Sequence, residues 1–159
     1  MTPISTIRTI VNGMNPKPRF FVGNDIEMAE EFGEIGYSKD NDLTKYPAIL
    51  MESNFYEQKG FERGIASVFT SVFYFVSESK SDYSVEQRID NVFDTIIYPL
   101  EYRFLYDIFR SEKFVFDNEI NIQKVNYIPR KSTNMYNVKS KLNDIIDVLK
   151  VEIELKLRN

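Results

Sequence analysis

The sequence has 159 residues, of which 43% are hydrophobic, and its 20 basic and 24 acidic residues give a net charge of −4. This length suits one domain with its own core, so we predict a single domain over residues 1–159. Because histidine and cysteine are both absent, disulfides, thiolate metal sites and the usual general base at neutral pH are excluded. We therefore expect no catalytic residue, no cofactor and no bound metal.

The first predicted element is a helix over residues 3–13. Thr2 is a suitable cap, Pro3 fits the first turn and Gly13 favours a stop. Its larger apolar residues recur every three or four positions: Ile4, Ile7, Ile10 and Val11. An irregular arm is expected at about 15–44, where turn formers dominate and apolar anchors are few, and we expect it to become ordered against a neighbour.

Two strands are predicted next, over 45–53 and 65–79. Pro47 places the start of the first at a sheet edge or outside the ladder. The second has valines and Tyr74 on one face and phenylalanines on the other. A strand with apolar residues on both faces is typical of one covered on both sides, either within the chain or by a neighbouring subunit.

A long helix is predicted over 85–111, with Ser84 and Gln87 forming a capping box. Pro99 should kink this helix near Thr95, whose carbonyl loses its donor. Strands are then predicted over 119–128 and 148–157. In the second of these, apolar residues alternate strictly with charged ones, which indicates one buried and one wet face.

These elements predict an α+β fold, a mainly antiparallel sheet of about four strands with the long kinked helix packed on one face. The charged face of strand 148–157 predicts that the other sheet face is partly wet. No apolar run reaches the ~18 residues of a membrane span, so no membrane partner is expected.

Acidic residues give no convincing active site. Asp40 and Asp42 have a spacing seen in calcium loops, but the glycine and closing glutamate of such a loop are out of register, which favours a solvated loop. Glu101, Arg103 and Asp107 are interpreted as a solvated helical face bridged by charge pairs.

The stretch NFYEQKGFERG places aromatic residues beside charged ones in a connection. Two interpretations stay open: the aromatics fold back on the core, or they form a protein interface, where aromatic residues and arginine are enriched. The candidates for an oligomer interface, including the charged face of strand 148–157, are Phe55, Tyr56, Phe61, Arg63, Lys150, Glu152, Glu154 and Lys156.

The order of elements resembles bacteriophage tail-terminator and neck (head–tail joining) proteins. The resemblance is topological, covers most of the chain and rests on Tyr46–Pro47, strand 65–77, helix 85–111 and strand 148–157. It implies a structural virion protein, made in the host cytoplasm, that forms a homo-oligomeric ring at the portal–tail junction. Other neck or tail proteins would be its partners, and genomic DNA would pass through the lumen without specific binding.

Two other function classes remain as alternatives. One is a small monomeric adaptor or a module that binds a host protein. The other is a small α+β enzyme or ligand-binding domain, against which the absence of histidine and cysteine counts.

Overall fold

The computed structural model describes residues 2–24, 27, 46–59, 64–80, 82–115, 123–127 and 146–159. Within these residues the helices are α1 (Pro3–Gly13) and α2, which runs from Val85 to Arg110. The strands in chain order are β1 (Arg19–Gly23), β2 (Ala48–Glu52), β3 (Tyr56–Lys59), β4 (Ile65–Glu78), β5 (Phe114–Val115), β6 (Gln123–Tyr127) and β7 (Ile146–Arg158).

One long antiparallel pair, β4 with β7, forms the centre of a seven-stranded sheet. The pairing extends from Ile65 opposite Arg158 to Glu78 opposite Ile146. Both β2 and β3 pair with β4, and both β5 and β6 pair with β7. Every pairing is antiparallel except that of β1 with β2. Short strands therefore flank a long central ladder on each side.

This architecture confirms the predicted α+β class and corrects the predicted number of strands. Within the described residues the sheet has seven strands rather than about four. Strand β1 lies within the segment predicted to be irregular, and most of that segment lies outside the described residues. Strand β3 lies in the predicted connection, and its four residues are all exposed. Strand β3 has no alternating apolar residues, because its pairing with β4, and not burial, defines it.

The main core lies between α2 and the inner face of the sheet, the face on which α2 packs. Phe104 contacts two phenylalanines of β4, with ring centroids 5.1 Å from Phe73 and 5.5 Å from Phe75. The predicted core residues of the helix, Phe93, Ile97, Leu100 and Phe104, are all buried. Strand β7 contributes every second residue to this core: Leu149, Val151, Ile153, Leu155 and Leu157.

Helix α1 packs beside α2 and closes one flank of this core. The side chain of Thr2 accepts a hydrogen bond from the Ser5 amide, Pro3 occupies the first turn, and the helix ends at Gly13, as predicted. Ile7 and Val11 are fully buried. Just beyond α1, Arg103 of α2 donates to the carbonyl of Pro16 at 3.2 Å, which ties the α1 end to the long helix.

Helix α2 begins with the predicted capping box: Ser84 accepts from the Gln87 amide, and Gln87 accepts from the Ser84 amide. Its middle, Ile89–Ile97, is π-helical and ends just before Pro99. The Tyr98 amide donates to Phe93, five residues back. The wide turns change the hydrogen-bond register, so Pro99 falls in the first turn of the following α-helical part, where a missing amide hydrogen is tolerated.

A buried ion pair joins the start of α2 to the central ladder. Arg88 donates to an Asp147 carboxylate oxygen at 2.8 Å, and the Asp147 side chain is fully buried. Arg88 also donates to the carbonyl of Lys80, in the connection between β4 and α2. The pair thus ties β7, the connection and the helix start together.

We expect Phe104→Ala to lower the free energy of unfolding by roughly 3–5 kcal/mol, because it empties the space between two buried rings. Val85→Ala, at an exposed position of the same helix, should change it by no more than about 0.5 kcal/mol. Urea denaturation followed by circular dichroism measures both. Equal stability of the two variants would contradict the core described above.

We expect Arg88→Met to destabilise the fold by roughly 3–5 kcal/mol, since it leaves the Asp147 carboxylate buried without its counter-charge. Adding Asp147→Leu should recover most of that loss, because a buried ion pair is often replaceable by apolar side chains. A double-mutant cycle from urea denaturation measures the coupling. Additive effects of the two changes would show that the ion pair does not couple helix and ladder.

Candidate functional site

The face of the sheet opposite α2, here called the outer face, contains alternate residues of both central strands. Side chains that pair across the ladder point to the same side. Pairs on the outer face include Val68 with Lys156, Thr70 with Glu154, Val72 with Glu152, and Tyr74 with Lys150. The alternation predicted for strand 148–157 is confirmed in β7, where the residues opposite its apolar side are exposed or half-buried.

One half of the outer face is apolar and buried within the chain. Its buried residues are Ala48, Leu50, Tyr74, Val76, Ile146 and Val148. Phe21 of β1 and Tyr46 pack against this cluster, and the Tyr74 hydroxyl donates to the Glu52 carboxylate. The chain itself therefore covers this end of β4, which explains why that strand has apolar residues on both faces.

The other half of the outer face is polar and accessible, and we call it the charged half. Glu152 and Glu154 are exposed, and Lys150 and Lys156 are half-buried. Tyr56 of β3 pairs with Thr70, which itself pairs with Glu154, so the tyrosine belongs to the same face. The Tyr56 side chain is 70% exposed. The charged half thus combines both signs of charge with one exposed aromatic ring.

The structure brings most of the predicted interface candidates together on this surface. Lys150, Glu152, Glu154 and Lys156 come from β7, and Tyr56 joins them from β3. Phe55 does not join them: it packs edge-on against Phe69 of the core, with ring centroids 6.1 Å apart. The fold-back interpretation is therefore correct for Phe55, while Tyr56 stays exposed. Phe61 and Arg63 lie outside the described residues.

One interpretation of the acidic residues was wrong. Glu101 was predicted on a solvated helical face, but it is buried with only 4% of its surface exposed. Its helical phase explains this, because it follows buried Leu100 directly and lies three residues before buried Phe104. Arg103 and Asp107 are half-buried, and Asp40 and Asp42 lie outside the described residues. In the described ranges, no group of three or more acidic residues is placed to hold a metal ion.

A second accessible surface, on the far side of α2, was not predicted. Tyr102, Tyr106 and Phe109 are 69%, 49% and 65% exposed, and the two tyrosine rings stack at 6.3 Å. At the end of the helix, a groove of about 530 Å³ is lined by Tyr106, Phe109, Arg110, Glu112, Phe114, Val115 and Arg158. The signal in the sequence was present: YPLEYRFLYDIFR has more aromatic residues than one buried stripe can hold.

Comparisons with known proteins leave the family open. Neither a scan against protein-family models nor a search of curated proteins found a match to this chain. Among the described residues, no helix is both long and apolar enough to cross a membrane.

The accessibility of the charged half predicts a sharp contrast between neighbouring residues of β7. Glu154→Ala should change the free energy of unfolding by about 0.5 kcal/mol or less, since exposed charges contribute little. Leu155→Ala, one residue on and fully buried, should cost about 2–5 kcal/mol. Thermal and urea unfolding of a monomeric sample measure both. A large loss in Glu154→Ala would show that the outer face is part of the subunit core.

Proposed function

We propose that this chain is a structural virion protein of a bacteriophage, which forms a homo-oligomeric ring at the portal–tail (neck) junction and connects or completes the tail. The observation that carries the proposal is the charged half of the outer face, a rigid and accessible surface that collects five of the eight predicted interface residues. Other neck or tail proteins are its proposed partners within the virion.

The chemistry of this surface supports contact between identical subunits. Along β7, Lys150 and Lys156 flank Glu152 and Glu154, so the surface presents both signs of charge to a neighbour. Complementary charges across a contact set its register and reject wrong partners. The exposed ring of Tyr56 supplies the kind of aromatic anchor that is enriched in interfaces. A ring closes only through a contact that each subunit repeats head to tail with the next subunit. The long ladder of β4 and β7 would form the surface for such a contact.

The order of elements supports the same proposal. A short helix, the strand after Tyr46–Pro47, the long strand β4, helix α2 and the alternating strand β7 follow one another as the resemblance implies. The negative net charge of −4 and the absence of a dense basic run fit a ring through which DNA passes without specific binding.

A non-enzymatic role is part of the proposal. The sequence contains no histidine or cysteine, the residues that most often act as base or nucleophile near neutral pH. Among the described residues two carboxylates are buried: Asp147, which binds Arg88, and Glu101 of α2.

One observation favours a second candidate, a monomeric adaptor or a module that binds a host protein. The exposed aromatic residues of α2 form a helix face of the kind that binds other proteins. The two candidates differ in the size of the isolated protein. A ring runs many-fold above the 18.7 kDa of one chain, whereas an adaptor runs as a single subunit.

The test reverses two charges on the charged half. Glu152→Lys with Glu154→Lys places five basic residues in a row on one face of β7, together with Lys150, Lys156 and Arg158. The reversed charges no longer complement the surface of the neighbouring subunit, so assembly should become strongly dependent on salt or be abolished. The stability of the subunit should change little, because the altered positions are exposed. Light scattering after gel filtration, at low and high salt, measures the assembled mass.

The matched control is Glu57→Lys with Glu86→Lys, which alters net charge equally at exposed positions away from the outer face. This control should assemble like the unaltered protein. An unchanged mass in the Glu152/Glu154 variant at both salt concentrations would remove the charged half from the assembly. An unaltered protein that stays monomeric at every concentration would contradict the ring.

A further inference from the structure

The ion pair at the start of α2 satisfies only one of the two oxygens of its carboxylate. Oδ1 of Asp147 accepts from Arg88 at 2.8 Å, but in the described part of the chain no group donates to Oδ2. The Asp147 side chain has no exposed surface, so bulk solvent does not reach this oxygen. Burial of a charged acceptor costs free energy unless hydrogen-bond donors offset it. The carboxylate therefore requires one more donor.

A second buried polar atom lies near this carboxylate. Ser79 is only 9% exposed, and its hydroxyl has no hydrogen-bond partner among the described residues. The contacts of Arg88 locate it. One guanidinium nitrogen donates to Asp147, and the other donates at 3.3 Å to the carbonyl of Lys80, the residue that follows Ser79. The arginine thus brings the segment after β4 beside the buried carboxylate.

The ladder places a third polar side chain at the same point. Ser77 pairs with Asp147 across the two central strands and is 3% exposed. Its hydroxyl donates to the carbonyl of Glu78 at 3.3 Å, so its oxygen can still accept a hydrogen bond. Within the described residues, neither Ser77 nor Ser79 bonds directly to Asp147. A group that joins them has to come from outside the chain.

We infer that Asp147 and Ser79 bind one internal water molecule. This water donates to Oδ2 of Asp147 and forms a second hydrogen bond with the Ser79 hydroxyl, and Ser77 supplies an acceptor for a third. Buried waters make about three hydrogen bonds each, to polar groups that the protein itself leaves without a partner. The site thus offers the number and the kind of partners that a buried water needs.

The charges at the site favour water over a cation. Arg88 already balances the charge of Asp147. A second positive charge would lie close to the guanidinium in a low-dielectric interior, where like charges repel strongly. The described ranges also place no cluster of three or more acidic side chains that could hold a metal ion. A neutral donor is therefore the ligand that this carboxylate accepts.

The water links parts of the subunit that no direct side-chain hydrogen bond joins. Asp147 belongs to β7, whereas Ser79 belongs to the connection that leads from β4 to α2. The water and Arg88 together then fix this connection on the ladder. The site lies inside the subunit, so the inference is independent of the proposed ring.

High-resolution crystallography of the full chain tests the inference directly. We expect an electron-density peak about 2.8 Å from both Oδ2 of Asp147 and the hydroxyl oxygen of Ser79. A peak at about 2.0–2.6 Å with several oxygen ligands would instead be a cation and would overturn the inference. A protein donor bound directly to Oδ2, or the absence of any peak, would overturn it as well.

A double-mutant cycle tests the link in solution. Ser79→Ala removes one partner of the water and should lower the urea midpoint by roughly 0.3–1 M. In the Arg88→Met, Asp147→Leu protein no carboxylate remains to hold the water, so Ser79→Ala should leave the midpoint unchanged. Because the two side chains share no direct hydrogen bond, such coupling requires a bridging group.

The matched control is Ser71→Ala, a buried serine of β4 whose hydroxyl also has no partner among the described residues. It pairs with Ile153, away from Asp147, and should shift the midpoint equally in both backgrounds. An equal shift by Ser79→Ala in both backgrounds would contradict the water bridge. If the Arg88→Met, Asp147→Leu protein does not fold, as judged by circular dichroism, the crystallographic result alone decides.

Discussion

The antiparallel ladder between β4 and β7 is the interaction on which the rest of the structure depends. It joins two long strands from Ile65 opposite Arg158 to Glu78 opposite Ile146. Every other strand except β1 pairs directly with one of the two. Because alternate residues of a strand face opposite sides, this one register decides which side chains meet α2 and which remain outside. A slip of one residue would place the glutamates of β7 in the core and its leucines in solvent.

The burial of apolar side chains and the alternation in the β7 sequence both favour this register of β4 with β7. On the inner side, β7 contributes five buried aliphatic residues, each worth on the order of 1.5–3 kcal/mol on burial. Asp147 is the exception on that side, and the ion pair with Arg88 accounts for it. The pair also fixes where α2 begins relative to the ladder. The ion pair between Arg88 and Asp147 thus fixes the start of α2, and the packing of Phe104 on two phenylalanines of β4 fixes a later turn.

The elements that the sequence predicts well are those with a strong local pattern. Strict alternation predicts β7, the capping residue Thr2 predicts the start of α1, and the Ser84–Gln87 box predicts the start of α2. Strand β3 was missed because all four of its residues are exposed, and β5 because two residues are too short to show a period. The burial of Glu101 was missed because charge was weighed above helical phase. Tertiary pairing, which no local pattern encodes, decides the two strands.

The candidate site was predictable only in part, because the alternation within a strand is visible in the sequence and the pairing between strands is not. Alternation in β7 identified its charged residues, but only the pairing of β3 with β4 shows that Tyr56 joins them and that Phe55 turns inward. The aromatic side of α2 needed the structure, because the sequence does not say which aromatic residues the core can accommodate. With α2 packed on the inner face, the exposed aromatic residues of α2 lie on the other side of the sheet from the charged half.

The central claim is that the charged half of the outer face is covered by a neighbouring subunit in the assembled protein. Hydroxyl-radical footprinting tests it directly at Tyr56, whose ring is 70% exposed in the single subunit. Oxidation of Tyr56 would be compared between the assembled protein and the Glu152→Lys, Glu154→Lys variant, with the mass of each sample checked by light scattering. The account predicts strong protection of Tyr56 in the assembly alone. Equal oxidation of Tyr56 in both samples, with an assembly present, would contradict it.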